Sequence, residues 1–405
     1  MLSERFNLIE CGSQNPLLRE GQRTVSPACL WSVSGLSLEY SSVLLPRGFP
    51  SDIIRRVKAV VFQAPFEVRV EEVPEPVLRA ETDAIVKVEL SAICGSDLHP
   101  YRGREIGIEP GTVMGHEFLG EVVECGRGVR KFRPGAVVVA PFSTSCGVCS
   151  FCAIGLTARC EQGELFGWIE KGRGLDGAQA EYVRVPLADT TLVTVPDRTP
   201  RDAALFAGDI LSTGLFTADM ADVGKGSVAA VLGCGPVGLM AVVACRSRGA
   251  ERVFAIEPVA ERRRLAESFG AFGLDLNDEV AARVEQETGG RGVDCVLEMV
   301  GSPQATRLGI DLLRPGGTLA AAGVHTEAEF AFSPGEAYDK NLTYRAGRCS
   351  VRSYMDEALE LASDSKLDVA SIVTDRVNLG DAVEAYRRFD RREDGCVKVL
   401  LLPAE

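Results

Sequence analysis

The chain is short of positive charge, of histidine and of repetition. Lys and Arg number 44 against 57 Asp and Glu, giving a formal net charge of −13. Such a surface repels phosphate backbones and anionic lipid, which argues against nucleic-acid or membrane-surface partners. No internal repeat or low-complexity tract is present. With 46% hydrophobic and 25% charged residues, the composition excludes a disordered, collagen-like or coiled-coil chain. No secretory leader is read at the start, where MLSERFNLIECGSQ breaks any apolar run with acidic and polar residues. One uncharged stretch, Val228 to Cys245, is long enough to imitate a membrane span. Its interior GCGPVG would break a lipid-exposed helix, so the stretch reads as strand, turn and buried helix. The expected compartment is the cytoplasm. Histidine occurs only at His99, His116 and His325, so few positions can supply imidazole chemistry.

What is present divides along the chain. A length of 405 residues implies two or three domains, and 42 glycines imply many tight turns. Residues 1–56 show no sustained period. They read either as upstream sequence translated from a mis-chosen start or as a loosely ordered extension. From Val57 to about Pro196 the text alternates in short strands punctuated by Gly and Pro. From about Arg201 to Gly347 it becomes βαβ-like, with apolar strands SVAAVLG, RVFAIE, VDCVLEM and TLAAAGV. Two helical stretches, YMDEALELASDS and DAVEAYRRFDRR, then precede a closing strand VKVLLL.

The turn Gly233-Cys234-Gly235-Pro236-Val237-Gly238 fits G-x-G-x-x-G between a strand and an apolar helix. Gly233 permits the tight turn, Gly235 admits a pyrophosphate, and Gly238 lets helix pack on strand. The helix N-terminus then offers free N–H groups to phosphate. Glu257, 19 residues after Gly238, would accept hydrogen bonds from ribose hydroxyls and repel a 2′-phosphate, favouring NAD over NADP. The run Arg262-Arg263-Arg264 could instead attract that phosphate, with Arg262 nearest; the plainer reading is a solvated helix face.

Thirteen cysteines without a leader point to thiol or metal chemistry rather than a disulfide framework. Cys146, Cys149, Cys152 and Cys160 give C-x2-C-x2-C-x7-C, a set able to close around a tetrahedral zinc. An iron–sulfur cluster is the competitor, but the fourth cysteine comes late and no proline follows it. A second constellation joins ICGSDLH, with Cys94, Ser96, Asp97 and His99, to MGHEF, with His116 and Glu117. Cys94 and His116 supply a thiolate and an imidazole, two of the three protein ligands that a catalytic zinc needs.

The ordered motifs CGSDLH, GHEFLGEVVECG, CGVCSFC, GAQAEYVRVPLAD, GCGPVG and the closing KVLL resemble the zinc-dependent medium-chain alcohol dehydrogenases from Val57 to Pro403. Within them the chain looks nearest to the branch related to glutathione-dependent formaldehyde dehydrogenases and formaldehyde dismutases. The resemblance implies a GroES-like β-rich catalytic domain (57–210 and 346–405) and a Rossmann doubly wound coenzyme domain (211–345). It implies hydride transfer between an alcohol, or a hydrated or adduct aldehyde, and NAD. Two zincs are implied, the catalytic one held by Cys94, His116 and Asp209. Ser96 and His99 would relay the substrate proton, Asp97 would hold His116, and Glu117 would stand behind the metal. Thr213 would pack beside the nicotinamide, Arg352 would meet the pyrophosphate, and the backbone of Gly323 and Val324 would meet the carboxamide. His325 is expected to be a solvated loop residue. A homodimer or homotetramer acting on a small alcohol or aldehyde is implied. The alternatives are an NAD-retaining aldehyde dismutase, a polyol- or threonine-type dehydrogenase and, least favoured, a non-enzymatic zinc-binding relative.

Overall fold

A computed structural model describes residues 55–403. The expected extension over residues 1–56 lies almost wholly outside them. Two sheets organise the described chain. The first runs Val373–Asn378, Lys398–Leu402, Ala84–Ile93, Phe118–Cys125, Val137–Ala140 and Val193–Thr194, with Tyr182–Val185 also paired to Ala84–Ile93. Its pairs are antiparallel except the first. Gly120 shows what the tight pairing of Ala84–Ile93 with Phe118–Cys125 demands. A Cβ there would lie 2.1 Å from the Lys87 carbonyl oxygen, so only glycine fits. A separate ribbon, Arg56–Ala64 with Glu67–Pro74, turns at Phe66 with φ of 63°.

The second sheet is parallel throughout: Phe272–Leu274, Arg252–Ile256, Val228–Leu232, Val293–Glu298, Leu313–Ala321 and Thr343–Ala346. Arg252–Ile256, Val228–Leu232, Val293–Glu298 and Leu313–Ala321 are the four expected apolar strands, Phe272–Leu274 and Thr343–Ala346 are added at the edges, and helices Pro236–Ser247, Ala260–Ser268, Val280–Glu287 and Pro303–Leu312 join them. Their near-continuous apolar text follows from burial on both faces. The first strand, Val228–Leu232, lies inside the sheet with later strands on either side. That order makes a crevice beyond the carboxyl ends of Val228–Leu232 and Val293–Glu298. The uncharged stretch resolves as strand, glycine turn and helix, and among the described residues no helix is long and apolar enough to cross a membrane.

The largest apolar core is shared by both sheets. Leu90, Leu119 and Val139 from the first sheet join Val231 and Leu297 from the second, through Phe206, Leu211 and Met240. The β-rich sheet and the Rossmann sheet are therefore the two architectures the resemblance implies, and the helix Ile210–Met220 runs between them.

Candidate metal centre and dinucleotide crevice

Three remote segments meet in the interior. Cys94 directly follows the strand Ala84–Ile93, His116 precedes Phe118–Cys125, and Asp209 stands at the N-terminus of Ile210–Met220. Asp209 has φ of −155° and makes no side-chain capping bond, which leaves its carboxylate to face the other two. The Cys94 thiol donates to Asp209 Oδ2 at 3.3 Å, and His116 Nε2 lies 3.6 Å from the same oxygen. A tetrahedral zinc with bonds of about 2.0–2.3 Å sets ligand-to-ligand edges of roughly 3.5 Å. The ligand atoms of Cys94, His116, Glu117 and Asp209 all lie within 4.8 Å of one another. This donor set fits a zinc ion.

The surroundings orient these groups. Asp97 Oδ2 accepts from the Cys94 N–H at 2.9 Å while Oδ1 faces His116 Nδ1 at 3.1 Å, so Nε2 points at Asp209. Ser96 Oγ lies 3.1 Å from His116 Nε2, and Thr213 Oγ1 donates to Asp209 Oδ1 at 3.3 Å. Burial, with Asp209 and Glu117 nearby, pushes the Cys94 thiol up to about 12. A proton therefore sits on that sulfur until a cation competes for it. Burial alone would lower the His116 pKa, yet Asp97 and Asp209 raise it well above the ordinary imidazole value. His99 is half-buried on the short turn Leu98–Tyr101, and burial lowers its pKa.

Sequence reading missed Lys398. It is fully buried and donates to Glu117 Oε1 at 2.6 Å and to the Ile93 carbonyl at 3.2 Å. The other Glu117 oxygen has no partner among the described residues, and the Glu117 carboxylate contributes one oxygen to the ligand-atom cluster. The only hint was a lysine opening an otherwise apolar closing strand.

The four clustered cysteines form a lobe of their own. Cys146 Sγ lies 4.0 Å from Cys152 Sγ, and Cys149 Sγ 4.0 Å from Cys160 Sγ. Four sulfurs about 2.3 Å from zinc stand roughly 3.8 Å apart, so the set fits that ion, and among the described residues no disulfide is present. Backbone N–H groups converge on the sulfurs: Cys146 to Cys160 at 3.1 Å and Cys149 to Cys146 at 3.3 Å. Those of Cys152 and Glu161 bring the Cys149 thiol down to about 6. Two hydrogen bonds tie the lobe to the chain's later part. The Ala158 N–H donates to Ser350 Oγ at 3.4 Å, and Ser353 Oγ donates to the Gly155 carbonyl at 2.8 Å.

The glycine turn is built as its spacing demands. Gly233 has φ of 84°, and a Cβ on Gly238 would lie 1.8 Å from the Gly233 carbonyl oxygen. Gly235 caps the helix opened by Pro236 and Val237, with no side-chain capping bond, so the first N–H groups stay available to an anion. Glu257 is buried and accepts from the N–H of Cys234 at 2.8 Å and of Val259 at 3.0 Å.

Two expectations are corrected. The arginine run is not a uniformly solvated face. Arg262 is only 8% exposed, and its Nη1 lies 3.9 Å from where a Gly235 Cβ would stand. Arg263 is pinned to the Glu257 and Pro258 carbonyls and to Asp275, leaving only Arg264 exposed. His325 is likewise not a free loop residue. Its Nε2 is 2.9 Å from Glu298 Oε2, while Glu298, fully buried, accepts from the N–H groups of Val300 and Gly301. The reason is packing: a Cβ at Gly323 would lie 2.1 Å from the Gly301 nitrogen, so the two loops touch and bring His325 over the glutamate. Val324 stays exposed beside it. Arg352 lies on the turn Val351–Ser353, where Asp356 is its partner at 3.5 Å and its buried Nε has none among the described residues.

The interior donor set, a phosphate-ready turn and a buried acid at the next strand end together suit redox chemistry on a small polar substrate. Comparison with known proteins agrees. Residues 80–197 match the family described as alcohol dehydrogenase GroES-like domain, and residues 236–364 the one described as zinc-binding dehydrogenase. Zinc-type alcohol dehydrogenase B of Aspergillus flavus is 41% identical over 347 residues, covering 83% of this chain and 79% of that protein. The solved alcohol dehydrogenase from Thermus sp. ATN1 superposes with a TM-score of 0.81 at 39% identity, over 85% of this chain and 99% of that one. A zinc-binding dehydrogenase from Sinorhizobium meliloti, solved bound to NADP, has a TM-score of 0.74 at 29% identity over 86% of this chain and 100% of that one.

Proposed function

The chain belongs to the zinc-type medium-chain alcohol dehydrogenases, and from that premise we propose that it moves a hydride between a small alcohol, or a hydrated aldehyde, and NAD. The observation that carries the reading is the convergence of Cys94, His116 and Asp209 in a buried pocket with Asp97 fixed behind the imidazole. Zinc held there supplies a Lewis acid that polarises the substrate oxygen. The chain's own residues do the rest. Asp97 fixes the His116 tautomer, so that Nδ1 carries the proton and Nε2 is free to ligate. Ser96 would hydrogen-bond the substrate hydroxyl and release its own proton as it accepts that of the substrate, with half-buried His99 as the group that returns it to solvent. Thr213 holds Asp209 in place. Lys398 balances the charge of Glu117 and keeps that carboxylate behind the ligand set.

Glu257 places a fixed negative charge beside the glycine turn, which supports NAD over NADP; Arg262 faces the turn and would meet the coenzyme from the other side. The backbone of Gly323 and Val324 and the cation of Arg352 are assigned to the coenzyme's carboxamide and pyrophosphate. Cys146, Cys149, Cys152 and Cys160 hold a second, structural zinc. Asp209 as the third ligand supports a substrate of the formaldehyde-related branch. The assignment of 57–210 with 346–405 to the catalytic domain and 211–345 to the coenzyme domain goes with this reading, as do a homo-oligomeric state and a cytoplasmic location.

The test is metal content per chain together with NAD and NADP reduction over primary alcohols, polyols and formaldehyde with glutathione. Two zincs and a higher kcat/KM with NAD are expected. A higher value with NADP would overturn the role of Glu257. One zinc without turnover would overturn the interior site.

A further inference from the structure

We propose that Gln179 and Tyr386 are positioning residues for the interior metal, linking the C-terminal helix Ala382–Arg391 to the imidazole of His116. This deepens the reading above and rests on the Cys94–His116–Asp209 metal site. Tyr386 and Gln179 are both fully buried. The Tyr386 hydroxyl donates to Gln179 Oε1 at 2.8 Å. The amide of Gln179 donates to the Ala92 carbonyl at 3.1 Å and to Asp97 Oδ2 at 3.2 Å. Asp97 then meets His116 Nδ1 through its other oxygen. Hydroxyl, amide, carboxylate and imidazole thus form one unbroken chain, ending on a ligand.

Each link has a fixed direction. The amide has two acceptors before its nitrogen and one donor before its oxygen, so turning it over would set oxygen against oxygen at Ala92 and Asp97. The Ala92 carbonyl and the Asp97 carboxylate enforce the observed sense, and the Tyr386 hydroxyl, able to donate or accept, donates to the amide oxygen that this leaves facing it. Asp97 Oδ2 takes both the Cys94 N–H and the Gln179 amide, so the same contact steadies two ligand segments. The backbone makes room for this. Gly115, immediately before His116, has φ of 95°, and a Cβ on it would lie 2.3 Å from Gln179 Cγ. Gln179 is itself anchored on both sides, its N–H donating to the Met114 carbonyl at 2.9 Å and its carbonyl accepting from Val60 N–H at 2.8 Å. Around this chain the core is apolar, with Val60, Ile93, Leu98 and Met114 packed near Tyr386. Filling that volume alone would need no polar atoms, and buried polar groups are costly unless fully paired.

Gln179→Met keeps length and removes the polar atoms; Tyr386→Phe removes one oxygen. Both are purified as the full chain, with metal analysed during exposure to a chelator and after cobalt exchange. The expected result is loss of the interior metal about 10- to 100-fold faster than wild type in Gln179→Met, and less in Tyr386→Phe, while the lobe metal leaves at the wild-type rate. The visible cobalt bands of the interior site should shift in both, which a change in packing alone would not produce. If Gln179→Met fails to fold, Tyr386→Phe decides. Wild-type release and wild-type cobalt bands in the folded variant would overturn the inference while leaving the metal reading intact. A wild-type protein holding the lobe metal alone would overturn both.

Discussion

The two cysteine-bearing sites are made in opposite ways. The lobe gathers four ligands from a single short segment, Cys146 to Cys160, using turns and backbone N–H groups, with Val148 and Ile154 left exposed around it. The interior site draws Cys94 and Asp209 from positions 115 residues apart, and Asp209 is flanked in the chain by the buried Phe206, Ile210 and Leu211. A local site can be held together by its metal; a distributed one is held together by the fold and leaves a coordination position for substrate. On the proposed reading the lobe serves stability and the interior serves turnover.

The sharpest way to break this division is Cys94→Ser. Turnover should fall about a thousandfold, since several kcal/mol of charge stabilisation go with the ligand, while metal analysis still finds the lobe filled. Next is Lys398→Met, which strands the Glu117 charge beside the interior site. Denaturant unfolding should show a loss of about 3 kcal/mol, and adding Glu117→Gln should recover most of it. Cys149→Ser should release one metal and lower Tm by roughly 5 °C, with kcat/KM of the folded protein within about threefold of wild type. Activity that disappears together with the lobe metal would contradict the division.

The smallest effect belongs to a control remote from both sites. Burial would raise the Asp294 pKa, but Arg291, Arg314 and the Val228 N–H bring it down to about 2 from 3.8. A depressed carboxylate adds stability above its unfolded value and loses it as pH falls through the folded one. Asp294→Asn should therefore cost about 1–2 kcal/mol at neutral pH, with the gap closing between pH 4 and 2, and no metal released.

Both sheets, the glycine turn and the lobe were legible because each is written locally: apolar strands at βαβ spacing, glycines at fixed offsets, four cysteines within one short segment. His116 stood out because the chain has only three histidines, and Cys94 because it shares the motif ICGSDLH with Ser96, Asp97 and His99. The rest was hidden by distance. Lys398 looks like the rim of an apolar strand until Glu117 is placed against it. Tyr386 reads as one more apolar position of an amphipathic helix, and Gln179 as a polar residue in a strand. His325 looked solvated because nothing local announces that the loop after Gly301 would lie against it. Partners of this kind are fixed by tertiary packing and leave no periodic mark.

The pairing of Lys398–Leu402 with Ala84–Ile93 also sets an order of events during synthesis. The first sheet cannot be completed, nor Glu117 neutralised, until nearly the last residue of the described chain has been made. The lobe's fourth sulfur, by contrast, is translated 238 residues before Lys398. At about 5–20 residues per second that interval is roughly 10 to 50 seconds. During it the four lobe cysteines are already available to a metal, while the interior cluster that the proposed function assigns to turnover is not yet complete.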